Sequence, residues 1–178
     1  MLKELNIKYT LAWIGIILFR FLPFRAPNVE PLLAVVMPFS TRIGYVGSFL
    51  FAASSIVVYD AFTSGWGMWT LITMLAYGAL GLGSRAFFAH RTPSALNFVG
   101  FSIISTIFYD AVTGLTVGPL FFHQSLMVAI VGQIPFTILH LAGSVLFAVL
   151  LSPVVYRWVN SAEVVTVQKV ADGSLYGC

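Results

Sequence analysis

The chain of 178 residues is 59% hydrophobic and only 8% charged, with a formal net charge of +3 at pH 7, whereas soluble domains carry about 25% charged residues. This composition excludes a water-soluble globular protein, because a charged side chain at the bilayer centre costs roughly 2.5 to 3.5 kcal/mol and the few charges here lie between long apolar segments. In that position the cations indicate membrane topology, so nucleic-acid binding is not expected.

The first predicted helix covers residues 7–22. Three prolines, Pro23, Pro27 and Pro31, then predict a loop, because proline cannot continue a regular helix. The apolar segment at residues 31–39 is shorter than the roughly 17 to 20 residues of a straight span, so it is either a short helix or a re-entrant one.

The middle of the chain contains three apolar segments, each bounded by a charge, a glycine or a proline. They predict transmembrane helices at about residues 43–59, 67–85 and 95–109.

The last apolar stretch, residues 119–158, is too long for one span and contains Pro135. We expect a dipping segment there, followed by a final helix at about residues 134–156. The fold prediction is therefore an all-α integral membrane bundle of about six transmembrane helices in residues 1–160. Residues 161–178 are predicted to form a short polar cytoplasmic tail.

The basic residues predict that the N- and C-termini are cytoplasmic in a multi-pass protein of the cell inner (plasma) membrane. In that topology Arg20 and Arg25 are the only cations outside. The inner ends hold the other cations, which are Lys3, Lys8, Arg42, Arg85, Arg91, Arg157 and Lys169.

A short internal repeat relates two of the predicted helices. Residues 55–63 and 105–113 both have the pattern Ser, three residues, Tyr-Asp-Ala, one residue, Thr. In the predicted topology both copies run in the same direction, so a parallel duplication would place two Tyr-Asp pairs at the outer face. Chance similarity between apolar segments is the alternative.

Polar residues near the predicted outer face form the first candidate binding site. Charges orient a small ligand, while aromatic rings supply stacking area. The alternative is an interfacial tryptophan belt, with carboxylates and arginines paired to hold loops. The residues concerned are Arg20, Arg25, Asn28, Glu30, Asp60, Asp110, Trp66 and Trp69.

The last helix carries a polar stripe that lipid cannot face. Within it, His140 could hydrogen-bond a ligand or accept a proton, and helix packing is the alternative explanation of the stripe. His123 and Gln124, just before this helix, are expected to cap or line the same outer cavity. The stripe consists of Gln133, Thr137, His140 and Ser144.

Several chemical functions are not expected. Three scattered histidines without cysteines or carboxylates at ligand spacing predict no metal site. The chain lacks the Walker A, zinc-protease and Gly-x-Ser-x-Gly patterns, so neither ATP hydrolysis nor a cofactor is expected. An intramembrane enzyme using His140 and Ser144 remains a third hypothesis, without an evident orienting group.

Small residues Gly44, Ser48 and Ala52 form a ladder along one helix, which allows another helix to approach closely. The neighbour is either internal or part of a partner subunit.

The run Arg20-Phe21-Leu22-Pro23, then Pro27-Asn28 and Pro31, resembles a group of small bacterial membrane proteins that is placed with the substrate-binding S components of energy-coupling-factor (ECF) transporters. The resemblance covers about residues 20–153 and includes Pro135-Phe136.

This resemblance implies a six-helix bundle that binds a vitamin or similar micronutrient on its outer side, beneath a lid at residues 21–30. It also implies a transmembrane coupling subunit and two ATPase subunits as partners. S components often dock through an Ala-x-x-x-Ala motif on the first helix, where this chain has only Ala12 and Gly15. We therefore expect the ladder formed by Gly44, Ser48 and Ala52 to dock on the coupling subunit.

We thus expect a non-enzymatic S component that captures a micronutrient at the outer face. The alternative is an autonomous secondary transporter or channel in which Asp60, Asp110 and His140 bind protons or ions.

Overall fold

The structure, a computed structural model, describes the backbone of residues 2–24 and 29–171 and the side chains of residues 4–24 and 29–161. This part of the chain forms helices and no strand, so the prediction of an all-α fold is confirmed. The helices are α1 (Leu2–Arg20), α2 (Leu32–Phe62), α3 (Met68–Ala89), α4 (Ala95–Gly114), α5 (Val117–Phe121), α6 (Leu126–Leu150) and α7 (Ser152–Ala171).

Four helical segments within the described residues are long and apolar enough to cross a membrane. This is the pattern of a multi-pass membrane protein. The segments are Leu32–Phe62, Met68–Ala89, Ala95–Phe121 and Leu126–Leu150.

Helix α2 reverses direction at Gly44, where φ is 70° and ψ is −174°. The rings of Phe39 and Phe51 stack with their centroids 5.5 Å apart, although a straight helix would separate these positions by about 18 Å. Helix α2 is therefore a hairpin with a first arm at residues 32–43 and a second arm at residues 45–62. The backbone conformation at its turn is one that essentially only glycine adopts.

The first arm of α2 lies at the centre of the bundle, since residues 31–40 are all buried. The ring of Phe39 on this arm packs against rings from α1, the second arm of α2 and α7, namely Tyr9, Phe51 and Trp158. The short predicted segment is thus a helix that is enclosed by protein, so it does not need the length of a lipid-exposed span.

The small-residue ladder packs inside the protein. Ser48 and Ala52 are fully buried, and a Cβ atom added to Gly81 of α3 would lie 2.2 Å from the Ser48 carbonyl oxygen. The ladder therefore brings the second arm of α2 against α3. Its expected use as a docking surface for a partner is wrong, because α3 already covers it.

The predicted division of the C-terminal apolar region is also wrong. Helix α6 passes through Pro135, and such prolines are tolerated in membrane helices because neighbouring groups satisfy the freed carbonyl. The helix instead ends at Leu150, and Pro153 lies in the first turn of α7, where its missing N–H group is acceptable.

Charged side chains gather at two ends of the bundle. Lys8 and Arg20 lie twelve positions apart on α1, which corresponds to about 18 Å. At the Arg20 end, the guanidinium pairs with Glu30. At the other end, three cations bind neighbouring positions on α7 and the first arm of α2: Lys8 the Trp158 carbonyl, Arg42 the Asn160 amide oxygen and Arg85 the Thr41 carbonyl.

Candidate ligand-binding site

A polar cavity of about 540 Å³ lies where α1, the second arm of α2 and α4 approach their C-terminal ends. This volume is within the range of small-molecule sites, roughly 300 to 1,000 Å³. The cavity is lined by Arg20, Phe21, Leu22, Pro23, Glu30, Tyr59, Thr63, Tyr77, Tyr109 and His140.

An ion pair forms one wall of the cavity. Nη1 of Arg20 lies 2.8 Å from Oε2 of Glu30, and their side chains are only 10% and 8% exposed. The Tyr77 hydroxyl donates to Oε1 of Glu30, and the Arg20 guanidinium lies 4.4 Å from the centre of the Tyr59 ring. The positive charge of Arg20 and the Tyr77 hydroxyl thus partly offset the cost of burying the Glu30 carboxylate, and this wall presents oriented polar groups.

A second wall contains His140, held by Asp110. Nδ1 of His140 lies 2.7 Å from Oδ1 of Asp110, and the side chains are 7% and 2% exposed. Tyr109 and Phe136 pack edge-on against the imidazole ring, with centroid distances of 5.6 and 6.2 Å. The ring is therefore restrained both by a hydrogen bond and by aromatic packing.

The two copies of the Tyr-Asp repeat share two local features. Tyr59 and Tyr109 both line the cavity. In each copy the threonine four residues later, Thr63 or Thr113, donates to the carbonyl of that tyrosine at 2.9 Å. The two tyrosines of the repeat therefore reach the same cavity from different helices.

The carboxylates of the repeat differ in their partners. Asp60 is buried but does not line the cavity, and its Oδ2 accepts a hydrogen bond from the Thr70 hydroxyl at 2.6 Å. The Asp60 backbone carbonyl accepts another from the Gly65 N–H at 2.8 Å. Asp60 therefore stabilises the turn between α2 and α3, whereas Asp110 contacts a cavity residue.

The two candidate tryptophans lie outside the cavity lining. Trp66 is 71% exposed, and its indole N–H donates to the Val57 carbonyl at 3.0 Å. Trp69 is 41% exposed and packs over Gly67. Exposed tryptophans at helix ends are typical of an interfacial belt.

The remaining candidates are dispersed. His123 and Gln124 are exposed in the segment that precedes α6. Gln133 lines a second, largely apolar cavity of about 320 Å³ between α4 and α6, together with Asp110. Asn28 lies outside the described residues.

The polar stripe on α6 faces α4. The Thr106 hydroxyl of α4 donates to the Ser144 hydroxyl at 2.9 Å, and Asp110 of the same helix binds His140. Ser144 thus serves helix packing, while His140 combines a packing contact with a place in the cavity lining.

The sequence gives no signal that Tyr77 belongs to a binding site, and Tyr59 and Tyr109 stand out only as parts of the repeat. A tyrosine within an apolar helix fits both lipid and protein surroundings, so its type alone gives little signal. Only the shared approach of these rings to one cavity distinguishes them.

Among the described residues, no group of three or more His, Cys, Asp or Glu side chains is arranged to hold a metal ion.

No protein-family model, no curated protein and no solved structure matches this chain. Its function is therefore inferred from the cavity and from the residues that line it.

Proposed function

We propose that the protein binds a small polar micronutrient, such as a vitamin, as the S component of an ECF-type importer. The observation that carries this proposal is the polar cavity, in which side chains from five of the helices meet at one end of the bundle. Tyrosine rings supply apolar contact area, and the Arg20–Glu30 pair and His140 supply directed polar groups. This division of roles is typical of small-molecule binding sites.

The charge distribution supports an outward-facing cavity. Lys8, Arg42 and Arg85 gather at the end away from the Arg20–Glu30 pair. By the positive-inside rule that end is cytoplasmic, so the cavity is proposed to collect its ligand from outside.

Binding without bond-making also agrees with the geometry. The Ser144 hydroxyl is engaged by Thr106, and Nδ1 of His140 is engaged by Asp110 rather than by Ser144. In the proposal, a coupling subunit and two ATPases supply the energy. Because α3 covers the ladder, the proposed docking element is α1, where a Cβ atom on Gly15 would meet no heavy atom within 4 Å.

The test is native mass spectrometry of the detergent-purified protein expressed in its own host. We expect a retained small molecule together with copurifying ATPases. Glu30→Gln should reduce the retained molecule at least about tenfold, because it weakens a buried charged network. Glu4→Gln is the matched control, since the Glu4 side chain is 52% exposed and lies on α1 near Lys8.

Absence of any retained molecule and of ATPases in the wild-type preparation would contradict the S-component proposal. Equal retention by the Glu30→Gln and wild-type proteins would instead remove the ion pair from the binding site.

The second candidate function is an autonomous proton-coupled transporter, which the buried Asp110–His140 pair favours. It is weakened by Asp60, whose carboxylate is bound to Thr70 and does not line the cavity. Uptake of the retained molecule by proteoliposomes that contain this chain alone, driven by a proton gradient, would support it. Strict dependence on added ATPases would support the S component.

A further inference from the structure

The two ring nitrogens of His140 have different surroundings. Nδ1 lies 2.7 Å from Oδ1 of Asp110, and an ionised carboxylate can only accept hydrogen bonds. Next to an ionised Asp110, Nδ1 is the nitrogen that carries the hydrogen. In a neutral imidazole the other nitrogen, Nε2, then has a free lone pair and acts as an acceptor.

Because Asp110 occupies Nδ1, Nε2 is the ring nitrogen left for a ligand in the cavity. His140 lines the cavity, and its Nδ1 edge is occupied by an aspartate that is almost fully buried. Tyr109 and Phe136 hold the ring edge-on from α4 and from the preceding turn of α6. Rotation of the imidazole would break both the hydrogen bond and this packing.

The other charged groups of the lining offer a ligand mainly donors. Arg20 can only donate. The two Glu30 oxygens are already engaged, one by Arg20 and the other by the Tyr77 hydroxyl. Lining hydroxyl groups rotate and act in either role, whereas Nε2 of a neutral His140 can only accept.

We propose that the bound molecule carries an N–H or O–H group that donates to Nε2 of His140, and that Asp110 is the positioning residue that keeps His140 in the accepting tautomer. This inference rests on the proposed function, in which the cavity holds a small polar ligand. It narrows the ligand class to small polar molecules that carry such a hydrogen-bond donor.

The internal repeat provides a matched pair of variants. Asp60 and Asp110 occupy the same position in the two copies, both are buried, and each accepts one side-chain hydrogen bond, from Thr70 or His140. Asp110→Asn should release His140 into the Nε2–H tautomer, because an amide can donate to Nδ1 and loses the charge that favoured Nδ1–H. Asp60→Asn should leave His140 unchanged.

The tautomer is measured by ¹⁵N NMR on protein labelled at histidine, with His90→Gln and His123→Gln introduced so that His140 gives the only signals. The wild-type and Asp60→Asn proteins should show a neutral ring protonated at Nδ1, and Asp110→Asn a ring protonated at Nε2. A wild-type ring protonated at Nε2, or at both nitrogens, would overturn the inference.

Retention of the molecule that copurifies with the wild-type protein is then compared by native mass spectrometry. Asp110→Asn should lower it about tenfold, the effect of one lost hydrogen bond and one opposed donor, and Asp60→Asn should not. Equal retention by Asp110→Asn despite a changed tautomer would overturn this inference and leave the proposed function intact. A wild-type protein that retains nothing would overturn both.

Discussion

The contact between Tyr77 and Glu30 holds a charged residue in the wall of the cavity. Glu30 follows the first loop, and Tyr77 lies in the middle of α3, 47 positions away in the chain. The Tyr77 hydroxyl donates to Oε1 of Glu30, whereas Nη1 of Arg20 pairs with Oε2. Such partners offset the cost of removing a carboxylate from water.

Tyr77→Phe removes this donor and keeps the ring. We expect the free energy of unfolding to fall by about 1–3 kcal/mol, because a buried charged acceptor loses a hydrogen bond. The measurement is thermal unfolding in detergent. Tyr45→Phe is the control, since Tyr45 is 50% exposed, and it should leave the melting temperature unchanged. Equal melting temperatures for all three proteins would show that the Tyr77–Glu30 contact contributes no stability.

Some residues in and around the cavity could be identified from the sequence alone. Glu30, Asp110 and His140 were identified because ionisable residues are rare in apolar segments and expensive in lipid. The sequence does not distinguish Asp60 from Asp110, because their local patterns are the same. Their difference arises from Thr70 and His140, which the fold brings to them from other helices.

Among the helices, α2 departs most from its sequence-based prediction. Its two predicted segments join in one hairpin at Gly44, and the second arm then packs closely on α3. The contact depends on Gly81, which leaves room for the backbone at Ser48. Close helix approach through small residues is a common source of stability in membrane proteins.

Gly81→Ala should destabilise the protein by about 1–3 kcal/mol, because the new methyl group would overpack the contact between α2 and α3. It would lie 2.2 Å from the Ser48 carbonyl oxygen unless a helix moved. Gly100→Ala on α4 is the control, since its Cβ atom would meet nothing within 4 Å. Yield and melting temperature in detergent report the difference. Similar values for both variants would contradict the close approach.

In the whole molecule, charged side chains gather at two opposite ends of the bundle, with the Arg20–Glu30 pair at one end and Lys8, Arg42 and Arg85 at the other. Thr63, beside the exposed Ser64, lines the cavity. His90 follows the last residue of α3, which spans 22 residues, or about 33 Å of helix. These two positions therefore report on opposite ends of the bundle.

Ser64→Cys and His90→Cys, each in a Cys178→Ser background, test the membrane orientation. On intact cells a membrane-impermeant maleimide should label the Ser64→Cys protein, and the His90→Cys protein only after permeabilisation. The reverse pattern would put the cavity on the cytoplasmic side and contradict capture from outside. The Cys178→Ser protein alone should remain unlabelled in both conditions.

The sequence by itself determined the all-α character and the presence of several apolar segments long enough to cross a membrane. These properties follow from the cost of placing charges in lipid, which depends on residues close together in the chain. Only the tertiary structure decided that α2 folds back at Gly44, that Asp110 holds His140 while Asp60 holds a turn, and that three tyrosines share a cavity. Those features depend on contacts between distant helices, and no local pattern encodes which side chains meet there.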